Sequence, residues 1–165
     1  MSLRRLPPLY VLATAVALLA ACDPGTSDKA GDAVTPARVT YTCCSAKDVD
    51  PPYRPGQTMS VHWKAAPPDG PSAGAPQVEL TARLTGPYAS VDGLKAATED
   101  LQGAAGDVTF TAPAIRPSGT PGEQPVSTIL IDADARPGYY DLITSVKQGG
   151  TSNSGASVIQ VVSNG

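Results

Sequence analysis

The 165-residue sequence has few aromatic residues, one histidine and three cysteines, none of them beyond position 44. It contains no second histidine and no spaced Cys-x-x-Cys pair, so the usual two-histidine and four-cysteine metal motifs are absent from it. The formal net charge is −3 and no basic stretch occurs, which argues against nucleic acid as a partner. No phosphate-cradling glycine loop and no dinucleotide fingerprint is present. These absences favour a protein that is not an enzyme.

Glycine and proline are abundant instead, with 16 and 17 residues that together make up a fifth of the chain. Such a content predicts many turns and argues against long helices. A chain of this length is expected to form one domain with a hydrophobic core of its own.

The first 21 residues have the three parts of an export signal. Arg4 and Arg5 form a basic start, residues 9–19 form an apolar run, and small residues follow. The run is shorter than the roughly 20 apolar residues that a transmembrane helix needs, and Pro7-Pro8 interrupt it near its start. We therefore predict that residues 1–21 are a signal peptide.

The end of this segment, Leu19-Ala20-Ala21, together with Cys22 resembles the lipobox of bacterial lipoproteins. The resemblance implies that Cys22 is acylated and becomes the new N-terminus. Two or more acyl chains hold a protein stably in a bilayer, so the protein would be lipid-anchored on the extracytoplasmic side of the cell membrane. Removal of residues 1–21 would leave 144 residues with a net charge of −5, because two arginines are lost.

Residues 22–36 show no periodicity and little strongly apolar character. This composition predicts a lipidated flexible tether rather than a folded segment. As a random coil, a tether of this length spans roughly 20 Å. The folded domain is therefore expected to begin at residue 37, just clear of the lipid headgroups.

Residues 37–165 have the pattern of β-strands. Apolar and polar residues alternate in segments separated by Pro- and Gly-rich turns, at roughly ten-residue spacing. The predicted strands are 38–43, 59–64, 77–84, 107–112, 127–133, 140–146 and 158–162. In the fourth of them, Val108 and Phe110 are expected to face inward. The pattern predicts an all-β fold, a single antiparallel β-sandwich of about seven strands.

Several breaks in the pattern lead to more specific expectations. Residues 48–55 are expected to be a turn region, and Gly86-Pro87 to end their strand. Residues 127–133 carry Ile and Leu on both faces, which is typical of a central strand covered on both sides. Residues 89–101 are spaced for a short helix. Residues 149–155 are expected to form a flexible hairpin loop.

Residues 131–142 resemble the E–F corner of immunoglobulin-like (Ig-like) domains, where a turn precedes a tyrosine whose hydroxyl bonds back to the corner backbone. The resemblance implies this role for Tyr140, which follows the turn residues Pro137-Gly138. Leu142 stands where antibody domains have a cysteine. The resemblance therefore implies a bacterial Ig-like domain without the inter-sheet disulfide.

The adjacent pair Cys43-Cys44 is the sharpest chemical feature of the sequence. Consecutive strand residues face opposite ways, so a regular strand cannot bury both side chains in one core. The two could form a vicinal disulfide, although a trans peptide bond holds Cα atoms about 3.8 Å apart, below the usual disulfide range. One could bond to another molecule, or both could stay reduced. We expect a pair without activity rather than a redox or ligand-binding pair.

A metal site is the next hypothesis. Cys43, Cys44 and His62 would provide three zinc ligands, and Asp48 or Asp50 a fourth. The strand pattern, however, directs the imidazole of His62 to solvent, which favours an ordinary exposed histidine. No metal site and no cofactor are predicted.

Two further patterns carry little weight. Asp132 and Asp134 could share a calcium ion, as in extracellular modules, but aspartate beside a turn is ordinary turn chemistry. Residues 70–74 match Gly-x-Ser-x-Gly around Ser72, yet they lie in a Pro-rich loop and the only histidine precedes them. Neither a calcium site nor a hydrolase is predicted.

We interpret the sequence as a lipoprotein that acts as a non-enzymatic binding or structural Ig-like module. Its expected partners are the bilayer, through the acyl anchor, and a cell-envelope protein or glycan. The competing hypothesis is a small metal- or redox-handling lipoprotein that uses Cys43, Cys44 and His62. The two hypotheses differ in whether these three side chains converge in space.

Overall fold

The computed structural model describes residues 39–66, 77–99, 106–120 and 122–165. The predicted signal peptide, the acylated Cys22, the tether and Ser72 lie outside these described residues. Within them no helix is long and apolar enough to cross a membrane.

The described residues form eight strands and two short helices. In chain order they are β1 (Tyr41–Thr42), α1 (Ala46–Val49), β2 (Thr58–His62), β3 (Lys64–Ala65), β4 (Val78–Tyr88), α2 (Val91–Glu99), β5 (Val108–Thr111), β6 (Val126–Leu130), β7 (Gly138–Gln148) and β8 (Thr151–Val161). The named strands pair in antiparallel fashion, as β1 with β3, β2 with β6, and a four-stranded sheet of order β5-β4-β7-β8. The prediction of an all-β antiparallel sandwich is confirmed.

One hydrophobic core joins the strands of β2 and β6 to those of the four-stranded sheet. The alternating residues of two predicted strands are buried, namely Met59, Val61 and Trp63, and Val78, Leu80, Ala82 and Leu84. The apolar periodicity therefore predicted which face of each strand is buried. The indole of Trp63 donates to the hydroxyl of Ser127 at 3.0 Å, so the polar atom of this buried ring is satisfied.

The predicted tyrosine corner is present. Tyr140 is fully buried, and its hydroxyl donates to the carbonyl oxygen of Arg136 at 2.8 Å. Burial raises the pKa of this hydroxyl, and the nearby Arg136 opposes the shift. The bond fixes the entry of β7 into the sheet, as the resemblance to Ig-like domains implies.

Three predictions about individual strands are wrong. Gly86-Pro87 does not end its strand, because β4 absorbs the two residues in a register shift between Thr85 and Tyr88 and resumes pairing with β7. β6 is not a central strand, since it pairs with β2 alone among the described residues and leaves Leu130 60% exposed. Val108, which was expected to face inward, is 38% exposed at the first position of β5.

The prediction of a flexible hairpin loop at residues 149–155 is also wrong. β7 and β8 pair along their whole lengths, from Gly138 opposite Val161 to Gln148 opposite Thr151, and only two glycines form the turn. The first residues of β8 are exposed and polar, so they lack the alternation that marks a half-buried strand. A hydrogen bond between the hydroxyls of Ser145 and Ser152 links the two strands here in place of an apolar cross-strand contact.

The two helices have different origins in the sequence. α2 confirms the predicted helix within residues 89–101, and Leu94 is its buried residue. α1 was not predicted, and it overlaps the first residues of the expected turn region at 48–55. A helix of four residues is too short to show a periodic apolar pattern, so only its capping residues could have revealed it.

Candidate functional site

The first turn of α1 builds the polar centre of the site. Asp48 accepts hydrogen bonds through Oδ2 from the backbone N–H of Ser45 at 3.1 Å and from its hydroxyl at 3.0 Å. The backbone N–H of Asp48 in turn donates to the carbonyl oxygen of Ser45 at 2.9 Å. These hydrogen bonds between Ser45 and Asp48 hold the carboxylate in one position. Only 2% of Asp48 is exposed.

Asp48 holds the imidazole of His62 from the other side. Oδ1 of Asp48 lies 2.7 Å from Nδ1 of His62, and the His62 backbone N–H donates to Oδ2 at 3.4 Å. Burial raises the pKa of Asp48, but the hydrogen bonds from His62 and Ser45 outweigh it and leave the pKa below its ordinary value. Asp48 is therefore a buried carboxylate that orients a half-exposed imidazole, since 53% of the His62 side chain is accessible.

A third contact ties this centre to the far strand of the sheet. The hydroxyl of Tyr53 donates to the carbonyl oxygen of Asp48 at 2.8 Å. The backbone of Tyr53 forms two hydrogen bonds at the end of β8, donating to Gln160 and accepting from Val162, which follows the strand, at 2.8 Å in both cases. Burial, and to a smaller extent the charge of Asp48, raises the pKa of the Tyr53 hydroxyl. Asp48 is thus held by the sheet as well as by its own helix.

Cys43 and Cys44 are joined by a disulfide across a cis peptide bond, with their Cα atoms 3.1 Å apart. Both side chains are half-buried and pack against the edge of the hydrophobic core. They line a small pocket of about 140 Å³ together with His62 and Lys64. The structure therefore places the cysteine pair and the histidine around one space that opens to solvent.

A larger cleft of about 420 Å³ adjoins this pocket, because Ser45, His62 and Lys64 line both. Lys47 and Glu123 also line the cleft. A cleft of this volume matches the lower range of small-molecule sites. We call the pocket and the cleft together the His62 cleft.

The acidic and basic groups of the His62 cleft differ in their partners. Glu123 accepts hydrogen bonds from the hydroxyl of Ser118 at 2.8 Å and from the backbone N–H of Thr120 at 3.2 Å. Burial raises its pKa, but these bonds outweigh it and lower the pKa below its ordinary value. Lys47 and Lys64 are exposed and form no ion pair with any described residue. The two ammonium groups are therefore available to a ligand.

The geometry does not support the hypothetical metal sites. The sulfurs of Cys43 and Cys44 are bonded to each other, so they are not thiolate ligands in this form. Across the described ranges, no group of three or more His, Cys, Asp or Glu side chains could hold a metal ion. The same finding argues against Asp50 as a metal ligand and against a calcium site at Asp132 and Asp134. The side chains of Asp132 and Asp134 are both exposed.

Sequence reasoning found the cysteine pair and His62 but missed the role of Asp48 and the charged lining residues Lys47, Lys64 and Glu123. The cysteine pair was singled out, and the solvent-facing orientation predicted for His62 is confirmed. Asp48 was considered only as a metal ligand, whereas it caps α1 and orients His62. The spacing Ser45-x-x-Asp48 is the signal that could have found it, because it is a capping-box pattern.

No protein-family model matches the chain, and no curated protein sequence matches it significantly.

Proposed function

We propose that this chain is a lipid-anchored, extracytoplasmic lipoprotein that acts as a non-enzymatic Ig-like binding module, and that the His62 cleft is its binding surface. The observation that carries the proposal is the construction of the cleft, in which a buried and hydrogen-bonded Asp48 orients the exposed His62 beside two lysines that have no ion pair among the described residues. A rigid, preorganised polar wall of this kind lowers the entropic cost of binding. The proposed occupant is an anionic component of the cell envelope, since two lysines and one glutamate line the cleft and give it a net positive charge.

The anchoring part of the proposal rests on the signal-like residues 1–21 and on Cys22. Its test is the fractionation of cells that express the full chain or the variant Cys22→Ser. We expect the wild-type protein in the membrane fraction and the variant in the medium or the periplasm, because without the acylated cysteine only weak contacts hold the protein at the bilayer. A variant that stays membrane-bound would contradict lipid anchoring.

The binding part is tested with purified peptidoglycan as the anionic envelope polymer. The wild-type full chain in detergent is compared with Lys64→Glu, in the cleft, and with the matched charge reversal Lys95→Glu, in α2. We expect Lys64→Glu to weaken binding about tenfold and Lys95→Glu to leave it unchanged, because only the first places a repelling charge in the cleft. Equal binding by all three proteins would overturn the assignment of this surface.

Of the competing metal- and redox-handling functions, the structure favours a redox function and does not favour metal binding. The disulfide leaves Cys43 and Cys44 without thiolates for a metal. The same disulfide shares a pocket with His62, which is the convergence that a redox function requires.

A further inference from the structure

We propose that the Cys43–Cys44 disulfide is an exchange site for low-molecular-weight thiols, in which His62 carries the proton and Asp48 positions His62. The inference rests on the disulfide and on the Asp48–His62 pair. It goes beyond the proposed binding function and does not depend on lipid anchoring or on an envelope ligand.

The disulfide is poorly suited to stabilise the fold. A disulfide stabilises a protein mainly by restricting the unfolded chain, and its effect grows with the length of the loop that it closes. Cys43 and Cys44 are neighbours in sequence and close the shortest loop that a chain allows. The buried core, which includes Trp63 and Tyr140, contains no cysteine, and Cys43 and Cys44 only border it as partly buried residues. A chemical role therefore explains the cysteine pair better than a structural one.

The disulfide is also accessible to a small thiol. Thiol–disulfide exchange requires a thiolate to approach a sulfur atom, so it depends on exposure of the bond. Both cysteines are half-buried, and they line a pocket of about 140 Å³ that continues into the larger cleft. This space is large enough for a thiol of a few heavy atoms.

His62 is oriented as a proton carrier. The hydrogen bond to Asp48 occupies Nδ1 and places the proton of the neutral ring there, which leaves a lone pair on Nε2. Within the described part of the chain the ring makes no second hydrogen bond that would occupy Nε2. A buried carboxylate that orients a half-exposed imidazole is the arrangement that general acid–base catalysis uses.

The exchange balances as follows. A small thiol gives its proton to Nε2 of His62, and the resulting thiolate attacks one of the two cysteine sulfurs. The bond between the two sulfurs breaks, and its electron pair stays on the other sulfur, which takes the proton back from His62 and becomes a thiol. A second small thiol attacks the mixed disulfide in the same way. The protein gains two thiols and is reduced, while two small thiols are oxidised to their disulfide.

The charges of the cleft select among thiols. Lys64 lines both parts of the cleft and Lys47 lines the larger part, and both lack an ion pair among the described residues. Among the side chains that line the cleft, these two ammonium groups face one carboxylate, that of Glu123, so the lining carries a net positive charge. We therefore expect anionic thiols to react faster than cationic thiols of the same size, and this preference to decrease with added salt.

The test measures the rate at which oxidised full-length protein gains two alkylatable thiols, by mass spectrometry after trapping. The probes are 2-mercaptoethanesulfonate, which is anionic, and cysteamine, which is cationic and of similar size. The variants are His62→Gln, Asp48→Asn and Lys64→Gln, with Lys95→Gln in α2 as the matched control. Gln at position 62 can still donate to Asp48, so that the variant retains the buried bond.

We expect His62→Gln to react about tenfold more slowly than wild type at pH 7 and to approach it above pH ~9, where the probes are already thiolates. Asp48→Asn should show a smaller loss, and Lys64→Gln should narrow the preference for the anionic probe. Lys95→Gln should match wild type. A purely structural role of His62 would not give a loss that disappears at high pH.

Either of two results would overturn the proposal. The first is two free thiols in the unreduced protein, because the disulfide would then not form. The second is equal rates of wild type and His62→Gln across the pH range, with circular dichroism showing both folded. If His62→Gln is unfolded, the same comparison with Asp48→Asn decides. Because the assay contains no membrane and no envelope polymer, its failure leaves the proposed binding function to its own test.

Discussion

Asp48 and Asp141 are both almost fully buried, with 2% and 4% exposure, but their surroundings are opposite. Asp48 accepts bonds from Ser45 and His62 on both carboxylate oxygens, and its pKa is lowered. Oδ1 of Asp141 has no partner among the described residues, and burial raises the pKa of Asp141, with Arg83 opposing only in part. Burial alone therefore does not tell what an aspartate contributes. The donors around it decide whether its charge stabilises or destabilises the fold.

The difference also bears on function. The region around Asp48 has its polar atoms satisfied and presents a half-exposed imidazole to a cleft. Asp141 lies in the middle of β7 between Thr85 and Val158 on the neighbouring strands. A buried carboxylate that orients another side chain is a candidate for a functional site, whereas an unpaired one in a sheet is a local cost in stability.

The largest expected effect comes from removal of the bonded carboxylate. Asp48→Ala should lower the free energy of unfolding by about 3 kcal/mol, because it leaves the cap of α1 and the buried face of His62 without an acceptor. Equilibrium denaturation with urea measures the change. The neighbouring exposed Asp50→Ala serves as control and should have almost no effect. If the two variants were equally destabilised, the bonds to Asp48 would contribute nothing specific.

The reverse effect is expected at the unpaired carboxylate. Asp141→Val should raise the free energy of unfolding by about 2 kcal/mol at pH 7, because it removes a buried carboxyl group with an unsatisfied oxygen and inserts a residue suited to strands. Thermal unfolding at neutral pH provides the measurement. A loss of stability in this variant would mean that Asp141 has a favourable partner.

The pH dependence separates the two residues further. The folded pKa of Asp48 is lowered, so its stabilising contribution is present above the ordinary Asp pKa and is lost as pH falls through the folded value. The folded pKa of Asp141 is raised, so stability is lost as pH rises from the ordinary Asp value through the folded one. The gain from Asp141→Val should therefore shrink as the pH falls, because burial disfavours only the charged form of Asp141. A gain independent of pH would argue that charge is not its cause.

The smallest expected effect concerns the donor rather than the acceptor. Ser45→Ala should lower the free energy of unfolding by about 1 kcal/mol, because it removes one hydroxyl bond to Asp48 but keeps the backbone N–H bond. Urea denaturation of this variant beside Asp48→Ala tests whether the acceptor matters more than any single donor. A loss as large as that of Asp48→Ala would reverse this ranking.

The alternation of apolar and polar residues predicted the buried face of the strands, although the predicted strand 59–64 is divided at Trp63 into β2 and β3, which pair with different strands. Met59, Val61 and Trp63 follow this rule, and the corner at Tyr140 was found because its turn and tyrosine have a fixed spacing. β8 was shortened because its exposed Ser and Thr residues do not alternate with apolar ones. Strand ends of this kind are set by pairing with a long neighbour, which no local pattern records.

The candidate site was predictable in its parts but not in its assembly. Cys43-Cys44 and His62 are visible as rare residues in the sequence, but they lie eighteen or more positions apart and nothing local indicates that they share a pocket. Asp48 connects them through α1, a helix too short to be predicted from periodicity. The meeting of these residues depends on the packing of α1 against β2, which is a tertiary property.

Tyr53 gives the C-terminal end of the domain an importance that its position would not suggest. Its main chain forms hydrogen bonds with Gln160 and Val162, and its hydroxyl donates to the carbonyl oxygen of Asp48. Deletion of the chain from residue 160 onward would therefore remove these two backbone bonds to Tyr53 and loosen the wall that carries His62. A purification tag appended after Gly165 leaves both bonds intact, and should be chosen over any shortened version of this terminus.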